Sequence, residues 1–150
     1  MRHRTFLSQE LFPIFLQLYF FNMDDFKIRF QNEETQRKVS NFISTIDPNS
    51  EICLWEPDGD IEEGGDCEGT WGMFVDDYKS DLWDLLVEEY KNAHLFGDNI
   101  EMDFGEGVIE KTFLKGKEYF LNNEKKIKGE YVLEDKDGNP FPENESFWKN

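Results

Sequence analysis

Cysteine and histidine are scarce in this chain, which has two of each among its 150 residues. Cys53 and Cys67 are spaced as in no zinc motif, and two cysteines are too few to crosslink a small secreted domain. We therefore expect both cysteines to be reduced and the protein to be cytoplasmic. Cys53 lies between Ile52 and Leu54, and this apolar setting predicts a core residue rather than a nucleophile.

Motifs for common cofactors are also lacking, because the chain has no P-loop, no GxGxxG and no HExxH. His3 and His94 are the only histidines, and His94 follows a predicted helix, where its charge would favour the negative end of the helix dipole. A structural role is therefore expected for His94. We predict no cofactor and no bound metal.

The longest apolar run, from Leu11 to Phe21, is shorter than the roughly 20 residues that span a bilayer, and no small-residue cleavage site follows it. We therefore predict no membrane insertion. Residues 1–22 are predicted to be an apolar N-terminal extension, either a short packed helix or a segment upstream of a true start at Met23. Residues 23–150 are predicted to form a single α+β domain.

Basic residues are few, with 16 lysines and arginines against 33 acids, which gives a formal net charge of −17. The segment 47–110 alone carries 20 of these acids and two lysines, a net charge of −18, so the acidity is regional. Such a surface repels nucleic acid and anionic membranes and attracts basic proteins. We therefore expect a basic protein as partner, without direct nucleic-acid or membrane binding.

The acidic segment contains a glycine-rich loop, residues 56–69, which is followed directly by Thr70, Trp71 and Gly72. Trp71 is a candidate anchor, because a buried aromatic side chain supplies affinity that charge alone lacks. More acids lie on and just before the next predicted helix. The predicted partner-binding residues are Asp58, Asp60, Glu62, Glu63, Asp66, Glu68, Trp71, Asp76, Asp77, Asp81, Asp84 and Glu88.

Hydrophobic periodicity predicts an α+β fold, in which a mainly antiparallel sheet of five or six strands carries two principal helices on one face. Residues 26–30 alternate apolar and basic side chains, which predicts the first strand. Asn32 is predicted to cap a helix with apolar positions Val39, Phe42, Ile43 and Ile46. A second helix, capped by Asp77 or Ser80, is predicted to have an apolar stripe of Tyr78, Leu82, Leu85, Leu86, Tyr90 and Ala93.

Five further strands are predicted after the first. They cover residues 52–55, 71–75, 100–104, 108–114 and 130–133. Residues 118–121 fit either a helical turn or a strand. Residues 135–138 alternate acids in a way that could suggest a cation loop, but Gly138 directly after Asp137 indicates a tight turn. The tail after residue 139 is predicted to be extended, with Phe147 and Trp148 as anchors.

A non-enzymatic inhibitor of a basic partner is the function that this charge pattern favours. Two forms fit equally: an immunity protein or antitoxin that masks a nuclease toxin, and a nucleic-acid mimic that blocks a DNA- or RNA-binding protein. The alternative is a carboxylate-dependent hydrolase, which predicts two carboxyls facing one another in a concave, apolar-walled site. A calcium-stabilised interaction module is a third class, although the loop matches an EF-hand only at Asp58, Asp60 and Glu62.

Overall fold

The computed structural model describes residues 21–22, 25–57, 69–93 and 100–147. The helices are α1, Glu33–Ile46, and α2, Leu82–Ala93, and a short 3-10 helix covers Glu143–Glu145. The strands are β1 Phe21–Asn22, β2 Phe26–Phe30, β3 Glu51–Trp55, β4 Trp71–Asp76, β5 Tyr78–Lys79, β6 Ile100–Phe104, β7 Lys111–Leu114, β8 Lys117–Ile127 and β9 Glu130–Glu134. Within these ranges, every helix is too short or too polar to cross a membrane.

Within the described part of the chain, seven strands form one antiparallel sheet in the order β3-β4-β2-β6-β7-β8-β9, and β1 pairs separately with β5. The α+β class and the antiparallel pairing are confirmed, whereas the predicted count of five or six strands is too low. Residues 118–121 lie within β8 and are therefore strand rather than helical turn. The strand predicted over 108–114 is shorter, because it begins only at Lys111.

The strand β2 lies inside the sheet, between β4 and β6, and supplies the middle of the core. Its residues Phe26, Ile28 and Phe30 are buried, and Ile28 has Met73 and Met102 as its cross-strand neighbours. Because successive side chains of a strand point to opposite faces, these five residues share one face, which we call the core face. The predicted first strand is therefore confirmed, with the predicted residues buried.

Asn32 caps α1 as predicted, since its side-chain oxygen accepts a hydrogen bond from the backbone N–H of Thr35 at 2.8 Å. The predicted apolar residues of this helix are in the core or packed against it, namely Val39, Phe42, Ile43 and Ile46. Gln36 Nε2 donates to the backbone carbonyls of Trp55 and Gly72, at 3.0 and 2.9 Å. These two bonds tie α1 to β3 and β4.

The helix α2 begins later than predicted, at Leu82, so the proposed caps at Asp77 and Ser80 are wrong. The backbone N–H of Leu85 donates to the carbonyl of Asp81 at 3.0 Å, which places Asp81 directly before the helix. Asp77 instead has a positive φ of 54° in the turn between β4 and β5. The buried apolar residues of β5 and α2 belong to the same core cluster as β2, and they are Tyr78, Leu82, Trp83, Leu86 and Val87.

The strand β3 lies at an edge of the sheet, and the prediction that Cys53 is a core residue is wrong. Cys53 is exposed with a free thiol, and the neighbouring Leu54 is 49% exposed. Among the described residues β3 pairs only with β4, so no described strand pairs with its outer side. An apolar run predicted burial here, but the edge position leaves part of that run in contact with solvent.

Gly72 allows the Trp55 indole to lie directly on the β4 backbone, because a Cβ at position 72 would overlap the ring. We expect Gly72→Ala to lower the free energy of unfolding by about 2 kcal/mol through overpacking. Urea unfolding measures this change. In a Trp55→Ala background the same substitution should cost clearly less, since the overlapping ring is gone. Equal costs in the two backgrounds would contradict the proposed overlap.

Candidate functional site

The predicted partner-binding residues of the loop lie outside the described part of the chain, and they are Asp58, Asp60, Glu62, Glu63, Asp66 and Glu68. The same holds for residues 1–20 and for Cys67, His94 and Trp148. Trp71 is described. It lies opposite Phe30 on the core face, half-buried and packed against the core. Its contacts are therefore structural, and its role as a binding anchor stays a prediction.

Three carboxylates come together where β3 begins and β4 ends. Oxygens of Glu51, Asp76 and Asp77 lie within 4.8 Å of one another. Glu51 joins the two predicted residues because it pairs with Asp76 across the β3–β4 ladder. Three carboxylates this close make this corner of the sheet acidic, and acidic sites attract a cation or the lysine or arginine of a partner.

A second group of predicted acids lies on α2 and directly before it. Asp81, Asp84 and Glu88 are exposed, and they follow one another at intervals of three and four residues. On a helix this spacing places side chains along one stripe. We call these three residues, together with Glu51, Asp76 and Asp77, the acidic surface.

Four ion pairs join described residues that are not part of the acidic surface. They join Arg37 to Glu33, Lys38 to Glu34, Lys115 to Glu145, and Lys125 to Glu134. Within the described ranges, Asp81, Asp84 and Glu88 take part in no ion pair.

The three clustered carboxylates are also the described residues that could hold a metal ion. Carboxylate oxygens are ligands that Ca²⁺ accepts, but Ca²⁺ takes about six to eight oxygens, so water or further groups would have to complete the shell. Glu51 is exposed and both aspartates are half-buried, which suits a protein partner as well as an ion. The calcium-stabilised module therefore stays a prediction.

Another acidic pair, which the sequence analysis did not identify, lies on the face of the sheet opposite the core face. Glu101 and Asp103 of β6 are buried, with 1% and 5% of their surface exposed. Their cross-strand neighbours on β2 are Arg29 and Lys27. Thr112 Oγ1 donates a hydrogen bond to Asp103 at 2.7 Å. We call these five residues the polar cluster.

The C-terminal segment covers this cluster by bonding to Glu101. The backbone N–H of Phe147 donates to Oε1 at 2.6 Å, and the Ser146 hydroxyl lies 2.9 and 3.0 Å from the two carboxylate oxygens. On its way there the segment pairs with the outer edge of β9, where Pro140 bridges to Glu134. Both oxygens of Glu101 are thus engaged by the chain itself.

Burial raises the pKa of Glu101 to about 8, and the nearby charge of Asp103 raises it as well. The hydrogen bonds from Phe147 and Ser146 and the positive charge of Arg29 act in the opposite direction but do not cancel the effect of burial. Removing a carboxylate from water disfavours its ionised form. Glu101 therefore holds a proton at neutral pH.

A cavity of about 270 Å³ lies beside the polar cluster. Glu101, Asp103 and Thr112 line one part of it. The apolar part of the lining consists of Ile109, Leu133 and Phe141. Glu143 and Ser146 complete the lining. Carboxyls beside a partly apolar cavity are an arrangement that the hydrolase alternative predicts.

No family model, curated protein or solved structure matches this chain. The fold and the surface define it as an acidic α+β protein with a seven-stranded antiparallel sheet. Its charge distribution and its buried polar groups are therefore the features that bear on its function.

Proposed function

We propose that this protein is a non-enzymatic inhibitor that binds and neutralises a basic protein through its acidic surface. The observation that carries the proposal is the cluster of Glu51, Asp76 and Asp77, whose carboxylate oxygens lie within 4.8 Å of one another. The stripe on α2 begins shortly after this cluster, at Asp81. Lysines and arginines of a partner would be attracted to these carboxylates. This attraction would raise the rate at which the partner associates with the protein.

The arrangement of the helices supports a binding surface. Buried residues of α1 and α2 share one cluster with the core face of β2, β4 and β6. We infer that both helices pack on this face, so that the exposed stripe on α2 points away from the sheet. Acids on the outer side of a helix form a convex surface, which suits protein binding better than catalysis.

Two biological forms of this function remain equally supported. An immunity protein or antitoxin would mask a nuclease toxin, whose active site is basic because it binds phosphates. A nucleic-acid mimic would occupy the groove of a DNA- or RNA-binding protein, with carboxylates in the positions of phosphates. In both forms the complex would be cytoplasmic, and the activity of the partner distinguishes them.

Affinity capture tests the proposal. The full chain is immobilised, loaded at low salt with an extract of the cells that carry its gene, and eluted with a salt gradient. We expect one basic protein in stoichiometric amount, whose nuclease or nucleic-acid-binding activity is lost when one equivalent of this protein is added. Recovery of only a diffuse set of cationic proteins, without inhibition of any of them, would contradict the proposal.

A carboxylate-dependent hydrolase is the second candidate, and the polar cluster is the observation that favours it. A carboxyl with a raised pKa, such as Glu101, can act as a general acid at neutral pH. The bonds from Ser146 and Phe147 oppose this function, because they already occupy both oxygens of that carboxyl. We therefore assign Glu101 a structural role, and hydrolase activity that is lost in Glu101→Gln without loss of folding would reverse this assignment.

A further inference from the structure

The two edges of the main sheet differ in how they are covered. The segment after the 135–138 turn covers the outer side of β9. Pro140 bridges to Glu134, and the backbone N–H of Phe141 donates to the carbonyl of Leu133 at 2.9 Å. On the outer side of β3 no strand pairs within the described residues. Within the described residues this side of β3 is thus an unpaired sheet edge, a position at which another strand can add.

Three features that usually block an edge are missing within β3 itself. Natural edge strands carry lysines, prolines or bulges that prevent another strand from pairing. Residues 51–55 contain no lysine and no proline, and their pairing with β4 is regular over all five positions. Cys53 and Leu54 are exposed along this strand.

The strand is held firmly in place from the inside. Gln36 Nε2 bonds to the carbonyls of Trp55 and Gly72, and the Trp55 indole lies on the β4 backbone. The Arg29 guanidinium lies 5.5 Å from the centroid of that indole. A rigid edge loses little conformational entropy when a further strand pairs with it.

Both ends of this edge are acidic. Glu51 begins the strand beside Asp76 and Asp77, and the exposed Glu56 follows its last residue. An added strand with basic residues would therefore meet opposite charges, and an apolar residue at its centre could pack beside Leu54. Cross-strand pairs of this kind stabilise a sheet, whereas like charges across strands destabilise it.

We propose that the outer edge of β3 is the docking site for an extended basic segment of the partner protein, which pairs with β3 and lengthens the sheet. The inference rests on the proposed function, because it names the part of the partner that the acidic surface receives. Main-chain hydrogen bonds along the edge supply affinity that does not depend on salt, and the flanking acids select a basic strand.

A second copy of this chain is a poorer occupant of the same edge. Two β3 strands in antiparallel pairing would bring Glu51 of one copy close to Trp55 and Glu56 of the other. Each chain also carries a formal net charge of −17. The acids thus discourage self-association while they favour a basic strand.

A peptide experiment tests the edge. The probe is a short, capped peptide that alternates lysine and valine, and the control peptide has proline in place of each valine, so that it keeps the charge but cannot form a strand. At low salt we expect the lysine–valine peptide to bind at least ten times more tightly than the control. Hydrogen–deuterium exchange should show slower exchange in residues 51–55 when it is bound.

A pair of matched variants identifies the site of binding. Leu54→Lys places a blocking lysine on the edge, and Ile127→Lys makes the same charge change at another exposed apolar residue, which is 52% exposed on β8. We expect Leu54→Lys to weaken binding of the lysine–valine peptide about tenfold more than Ile127→Lys does. Both variants must unfold at similar urea concentrations for the comparison to be made.

The other outcomes separate the edge from the proposed function. Equal binding of the two peptides without protection of residues 51–55 would overturn the edge proposal and leave the acidic surface as the binding site. Failure of both peptides to bind at low salt would overturn the edge proposal and count against the proposed function. A dimer in sedimentation experiments that Leu54→Lys abolishes would assign the edge to a second copy instead.

Discussion

The free energy of unfolding should fall by about 2 to 3 kcal/mol between pH 6 and pH 9, because Glu101 must lose a proton inside the folded protein. In the unfolded chain this carboxyl has its ordinary pKa of 4.5 and is ionised at pH 6, whereas in the folded state its pKa is about 8. The folded state therefore binds more protons over this range, and raising the pH favours unfolding. The stabilisation is complete below pH 4.5 and is lost as the pH rises through 8.

The groups around Glu101 explain why its pKa is raised in the folded protein. Asp103 lies on the same face of the same strand, and its negative charge opposes the ionisation of Glu101. Arg29 on the neighbouring strand favours ionisation, as do the donors of Ser146 and Phe147, but these effects are smaller than that of burial. Loss of the proton thus leaves a charge that its surroundings compensate only in part.

Urea unfolding across this pH range checks the prediction with two variants. Glu101→Gln has no proton to lose, so its stability should not show the fall and should exceed that of the wild type at pH 9. Glu88→Gln removes the same charge at an exposed position on α2, and we expect it to keep the full decrease. An equal fall in Glu101→Gln would show that another group causes the pH dependence.

The second large effect concerns the rate of partner binding. Replacing Asp81, Asp84 and Glu88 by lysine raises the formal charge from −17 to −11. At low salt we expect the association rate with the captured partner to fall roughly 10- to 100-fold, because electrostatic steering is lost. The difference should shrink as salt is added, since ions screen exposed charges. Stopped-flow mixing over a series of salt concentrations measures both effects.

The matched control makes the same change in charge elsewhere. Glu106, Glu124 and Glu130 are exposed, and their replacement by lysine also gives a net charge of −11. If the acidic surface binds the partner, this control should slow association much less than the α2 variant. Equal slowing by both variants would mean that overall charge steers the partner and that α2 is not part of the binding site.

Local patterns predicted the elements of this fold because their physical causes are local. Alternation over residues 26–30 identified β2 and its buried face, and the polar side chain of Asn32 identified the start of α1. The predicted start of α2 was wrong because the sequence offers three residues that can cap a helix, Asp77, Ser80 and Asp81. Only the pairing of β1 with β5 shows that residues 78–79 are strand before the helix begins.

The candidate site was less predictable because it depends on contacts between distant residues. Glu51 joins Asp76 and Asp77 only through the β3–β4 register. Glu101 lies on a strand whose alternation identifies its face but cannot show that Ser146 and Phe147 cover that face. The apolar neighbours of Cys53 predicted burial, because no local pattern distinguishes an edge strand from an inner one.

The position of β2 has a consequence for synthesis on the ribosome. This strand is made before the other six strands of the main sheet, yet its two neighbours, β4 and β6, are made only after the acidic loop and α2 respectively. The phenylalanines of β2 therefore lack one of their two neighbouring strands until Phe104 has emerged. Pairing over such sequence distances slows folding, so the nascent chain should spend longer bound to chaperones than a chain of equal length with mainly local pairing.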